Sequence, residues 1–102
     1  MIPKHKRIVN KKLINEMSGG ICEKCGRPAH GQPHHIITVG AGGPDIKENL
    51  IQLSCSNGCH IKAHSGEITR DELLFIVARR ENITVEECER CIQLKRGIKY
   101  EM

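Results

Sequence analysis

At 102 residues, with 38% hydrophobic content, one Phe, one Tyr and no Trp, the chain has room for a single small domain whose core is marginal without a metal staple. The formal charge of +4 is gathered at the start: residues 1–20 hold five basic groups against Glu16, residues 21–66 are near balance, and residues 67–102 carry one more acid than base. No run approaches the roughly 18–20 apolar residues of a membrane helix, and polar Met1–Asn10 lacks the apolar stretch of a secretory signal, so a membrane span is not expected and a reducing cytoplasm is.

In chain order, Lys6–Met17 places Ile8, Val9, Leu13, Ile14 and Met17 near helical spacing, and Ser18, Gly19 and Gly20 end the pattern; a short amphipathic helix is predicted. Its basic residues Lys4, Lys6, Arg7, Lys11 and Lys12 suit an electrostatic grip on nucleic-acid phosphates, or simply a solvated basic tail. Residues 21–33 are turn-rich, with Gly26, Pro28, Gly31 and Pro33. His35–Val39 reads as a short strand, 40–45 as a glycine-rich loop, and Leu50–Leu53 as a strand returning against the first. A helix is predicted from near Asn57, carrying Cys59–His64 and stopping at Ser65 and Gly66. Thr69 and Glu72 have the form of a capping box opening another helix, and Thr84 and Glu87 repeat it for a last helix through about Arg96, with Asn82 as the break between the two. The whole reads as one α+β domain: a basic N-terminal helix (1–20), a metal-stapled core (21–66) and a C-terminal helix pair for packing and partner contact (67–102).

Cys22 and Cys25, followed by Gly26, have the spacing of a zinc-knuckle turn, and Cys55 and Cys59, with Gly58 between them, supply a second pair. Four thiolates complete a closed tetrahedral shell, which suits a structural Zn²⁺ and leaves no place for substrate. Disulfides and a redox Cys-x-x-Cys are the alternatives, and a reducing compartment argues against the first. Cys88 and Cys91 form a further Cys-x-x-Cys inside the last predicted helix, on a face with Val85 and Ile92. They read as small buried hydrophobes, with a zinc shared by Cys22, Cys25, Cys88 and Cys91 as the competing arrangement.

His60 and His64 lie four apart on a predicted helix, so their rings share one face. With His34 they make three neutral nitrogen donors that leave an ion open to water and a phosphate oxygen. The other member of the doublet, His35, is then available as a general base, since an imidazole titrates near neutral pH. A regular strand sends neighbouring side chains to opposite faces, so either the doublet sits at an irregular strand start or one ring leaves the site. Asn49 is either placed to orient the His35 ring by a hydrogen bond across the hairpin or a simple turn residue before Leu50. His5 and His30 lie outside this set, His30 being at most an alternate ligand.

Taken together, Cys22-x-x-Cys25, His34–His35–Ile36, the glycine-rich loop, Glu48–Asn49–Leu50 and Cys55-x-x-x-Cys59–His60-x-x-x-His64 resemble the HNH endonuclease family, over Cys22 to about Ser65. The resemblance implies a ββα-metal (His-Me finger) core and hydrolysis of double-stranded DNA. It implies that His34, His60 and His64 hold the catalytic ion, that His35 is the base, and that Asn49 fixes its orientation. The doublet and helical pair look like the colicin-type toxins, and the cysteines like the zinc-bearing branch of phage and restriction enzymes. Many members of that branch have Asp where His34 stands and Asn where His64 stands. A nitrogen-rich set leaves the ion open between Mg²⁺ or Mn²⁺ and softer Ni²⁺ or Zn²⁺. A phage packaging or restriction partner, acting in the host cytoplasm, is the implied context. The rival is a zinc-stapled DNA-binding or assembly module without catalysis.

Overall fold

The computed structural model describes residues 7–97. Lys4, His5 and Lys6 lie outside the described residues, so the proposed phosphate contacts of the two lysines have no structural account.

The first helix, α1 (Lys11–Met17), begins later than its hydrophobic pattern suggests. Asn10 caps it, the side chain accepting from the Leu13 N–H at 3.1 Å. Residues 7–10 are pulled out of the helix by the distant loop: the Asp45 N–H donates to the Ile8 carbonyl at 2.9 Å, and the Asn10 N–H donates to the Asp45 carboxylate at 2.8 Å. No residue of α1 is fully buried.

The sheet is a single antiparallel pair, β1 (His34–His35) and β2 (Leu50–Ile51), in the register His34 to Ile51 and His35 to Leu50. Both strands are shorter than predicted. At Ile37, where β1 would continue, the Asn49 side chain occupies both backbone groups: Oδ1 accepts from the Ile37 N–H at 2.8 Å and Nδ2 donates to its carbonyl at 3.1 Å. Thr38 then opens a 3-10 turn at Val39–Ala41 in place of a strand. Beyond Ile51 the second strand is captured by the cysteine knuckle, the Gln52 carbonyl accepting from Glu23 N–H and the Glu23 carboxylate accepting from Gln52 N–H.

Gly58, in the left-handed region at φ 76°, turns the chain into α2 (Cys59–Ser65), and Gly66 at φ 87° ends it. The last helices are α3 (Arg70–Glu81) and α4 (Val85–Lys95), separated by left-handed Asn82. The Thr84–Glu87 capping box is complete. At Thr69 only half of it forms, since Thr69 accepts from the Glu72 N–H while the Glu72 carboxylate pairs with Lys24 at 3.2 Å. Leu73, Leu74, Val77, Cys88 and Ile92 of this pair bury themselves with Leu53, Ile51 and Ile36 in one core. Arg80 ties α3 to the rest by donating to the Glu23 carboxylate and the Leu50 carbonyl. The helix pair is therefore the floor on which the short sheet rests, and α2 stands at its edge.

Candidate functional site

The knuckle folds because Gly26, at φ 79°, allows its N–H to reach the Cys22 carbonyl at 2.9 Å. A bridge between Ala29 and Cys55 lays the second cysteine segment alongside it. The sulfurs of Cys22, Cys25, Cys55 and Cys59 consequently lie within 4.8 Å of one another. A tetrahedral Zn²⁺ with bonds of about 2.3 Å sets its sulfurs about 3.8 Å apart, so the cluster fits a four-thiolate ion. All six cysteines are free, and the 3.5 Å between the Cys25 and Cys55 sulfurs is too long for a disulfide. Burial, then the neighbouring sulfurs, push the Cys59 thiol up to about 12. Four thiolates this close need a cation between them.

Cys88 and Cys91 are not in this cluster. Cys88 is fully buried, its thiol directed at the Glu48 carbonyl, and burial pushes its pKa up to about 11; Cys91 is only half-buried. The double variant Cys88→Ala/Cys91→Ala is expected to keep one tightly held zinc per chain, measured by metal analysis after gel filtration. Loss of that ion would move the site to the last helix.

The nitrogens of His34, His60 and His64 form a second cluster, also within 4.8 Å. His34 enters from β1, while His60 and His64 lie one turn apart on α2 with their Nε2 atoms 3.0 Å apart. Three nitrogens bound to one ion at 2.0–2.1 Å would be spaced by roughly 3 Å, so these rings fit one face of a coordination shell. Burial, then the charges that His60, His64 and His35 would carry, lowers His34 to about 4. Burial and His64 lower His60 as well. Both are thus neutral at neutral pH, the form in which imidazole binds metal. The two clusters are joined covalently at Cys59–His60. His30 stands apart from both clusters, on the surface, with its N–H donating to the Ser54 carbonyl.

An open cleft of about 420 Å³ lies over the imidazoles, and His34 and His35 both line it, with Thr38, Val39 and Ser54 along its rim. Alternation would have sent one ring of the doublet away, but the strand is only two residues long and bends directly after His35.

Two expectations about individual residues need correction. Asn49 does not touch the His35 ring: it is fully buried, and its amide is spent on Ile37 and on the Pro44 carbonyl at 3.0 Å. It holds the loop that follows the doublet rather than the imidazole. Asn49→Ala orphans three buried backbone groups, at about 1–3 kcal/mol each, and is expected to lower stability by about 3 kcal/mol or more; the urea midpoint at constant zinc content measures it. Arg7 is likewise not a free phosphate ligand, since its guanidinium donates to Asp45 at 2.7 Å and to the Gly43 carbonyl at 3.0 Å. Lys11 and Lys12 do lie exposed on α1.

Sequence reasoning passed over Asp45. This carboxylate is 4% exposed and accepts from Arg7, from the Asn10 N–H and from His35, whose Nε2 lies 2.7 Å from Oδ1. Burial alone would raise its pKa; the hydrogen bonds from His35, Asn10 and Arg7 outweigh that and hold it below the ordinary carboxylate value. The one signal in the sequence is an acid directly after Gly42–Gly43–Pro44, in a loop that must close on the doublet.

Residues 22–66, which contain both clusters and His35, match the HNH endonuclease family. The chain is also 35% identical, over 81 residues, to the type IV methyl-directed restriction enzyme EcoKMcrA of Escherichia coli (strain K12). That alignment covers 69% of this chain and 28% of the relative, so the chain spans little more than a quarter of that protein. No solved structure matches the chain.

Proposed function

With residues 22–66 matching the HNH endonuclease family, we propose that the chain hydrolyses phosphodiester bonds of double-stranded DNA, using His35 as general base beside one divalent ion. The observation that carries this is the arrangement of four imidazoles: three converge as ligands, and the fourth lines the same cleft without joining them. His34, His60 and His64 would hold the ion. Such an ion would supply positive charge to the phosphate as negative charge develops in the transition state. His35 takes a proton from the attacking water, whose oxygen bonds to phosphorus as the bond to the 3′-oxygen breaks; the leaving oxygen takes a proton from solvent, and the products carry 3′-hydroxyl and 5′-phosphate ends. The four cysteines hold a separate structural Zn²⁺.

DNA as substrate follows from the family and from a restriction enzyme among the relatives. Exposed Lys11 and Lys12 offer phosphate contacts. One Phe and one Tyr are too few for a base-stacking platform, so single strands are a poor substrate and sequence preference is weak unless a partner supplies it. A phage packaging or restriction assembly is the proposed context. Among the described residues no helix is long and apolar enough to cross a membrane.

Supercoiled plasmid incubated with the full chain and a panel of Mg²⁺, Mn²⁺, Ni²⁺ and Zn²⁺ tests the reading. Nicking that requires one of these ions is expected. Tight duplex binding with no cleavage under any ion would establish the alternative, a non-catalytic DNA-binding or assembly module.

A further inference from the structure

His35 has two ring nitrogens, and its action as a base depends on which one carries the proton. Its Nε2 lies 2.7 Å from Asp45 Oδ1. An ionised carboxylate can only accept, so in neutral His35 the proton sits on Nε2 and the lone pair on Nδ1. Asp45 is itself held on every side. Arg7 donates to Oδ1, the Asn10 N–H donates to Oδ2, and the Asp45 N–H donates to the Ile8 carbonyl.

The loop that carries Asp45 is fixed with equal care. Asn49 holds it from inside through Pro44, and Arg7 holds the Gly43 carbonyl. From the other end of the chain, the Gly97 N–H donates to the Gly42 carbonyl at 2.8 Å and Arg96 Nε donates to the Ala41 carbonyl at 2.7 Å. Only glycine fits at position 43, because a Cβ there would stand 1.8 Å from the Ile37 carbonyl oxygen, so the loop packs directly on the backbone after the doublet. A surface ion pair would not need a loop bound from both ends of the described chain.

We propose that Asp45 is a positioning residue that fixes the tautomer and direction of the His35 ring, and that residues 7–10, which hold Asp45, are thereby part of the hydrolytic apparatus. The proposal rests on His35 being the base. Asp45 does not take the proton. It leaves Nδ1 as the ring's free acceptor nitrogen, and it lies beside the imidazolium formed once that nitrogen is protonated, as the buried carboxylate of a serine-protease triad does.

Ring ¹⁵N spectra of the zinc-loaded full chain at mildly alkaline pH test the positioning directly, without reference to cleavage. Wild type is expected to show His35 as the single Nε2–H tautomer. Asp45→Asn presents both an acceptor and a donor to Nε2, so a mixture of tautomers is expected, with kcat for plasmid nicking down by about 10²-fold or more and KM little changed. An Nδ1–H tautomer in wild type, or an unaltered tautomer and kcat in Asp45→Asn, would overturn the proposal. Arg7→Met provides the second variant, should Asp45→Asn fail to fold. It leaves the carboxylate in place with one holder fewer, and a fall in kcat of about tenfold at unchanged zinc content is expected. Wild-type kcat there would remove Arg7 from the apparatus and overturn the part of the proposal that includes it. If wild type itself cleaves nothing, the proposed function fails, while the ring spectra still decide whether Asp45 sets the tautomer.

Discussion

His35→Ala is expected to lower the rate of ion-dependent plasmid nicking by about 10²- to 10⁴-fold, the range that positioned general bases contribute. Folding should be little affected, for a reason visible in the site. Asp45 loses one of its donors but keeps Arg7 at 2.7 Å and the Asn10 N–H at 2.8 Å, so no buried charge is abandoned. The three imidazoles that would hold the ion do not include His35, so ion binding should be as before. The combination to be measured is nicking rate, zinc content and thermal midpoint on the same preparation. A non-catalytic DNA-binding module has no use for this imidazole, and a variant that nicks at the wild-type rate would remove His35 from the chemistry.

Loss of the sulfur-bound ion is expected to unfold the protein. Zinc binding contributes about 10–16 kcal/mol to the folding of small zinc domains, as much as or more than the ~5–15 kcal/mol that holds a typical domain together. Here the four sulfurs hold the knuckle at 22–25 against the turn at 55–59, beside only a few backbone contacts: the paired Glu23–Gln52 bonds, the His30–Ser54 bond and the Ala29–Cys55 bridge. Cys59→Ser is the most informative variant, because Cys59 is buried and begins the helix that carries His60 and His64. Circular dichroism and urea titration should show a chain with no cooperative transition, and nicking should vanish with it. A Cys59→Ser protein that still unfolds cooperatively with one tight zinc would place the ion elsewhere.

What could be read in the sequence was whatever is set by short spacing. Cys22 with Cys25, Cys55 with Cys59, and His60 with His64 are each brought together by a single turn of chain, and the structure gathers them as expected. The Thr69 and Thr84 helix starts are equally local, although the reach of Lys24, 48 residues away, to the Glu72 carboxylate is not. Features decided by distant backbone were not legible. The strands ended early because Asn49 and Glu23 satisfy backbone groups that a longer ladder would have used. Arg7 resembled a phosphate contact because its partner lies 38 residues away, and Asp45 resembled an ordinary loop acid for the same reason. Arg80 gave no signal at all, since two of its acceptors are a backbone carbonyl and a glutamate 57 residues off.

On the proposed function two ions have separate duties, one keeping the fold and the other serving the cleavage. Brief treatment of the active protein with a chelator, followed by metal analysis, circular dichroism and plasmid nicking on one sample, tests this most directly. The prediction is one zinc per chain retained, an unchanged spectrum, no nicking, and full recovery on adding back a divalent ion. Undiminished nicking by protein that holds only the single zinc would contradict it.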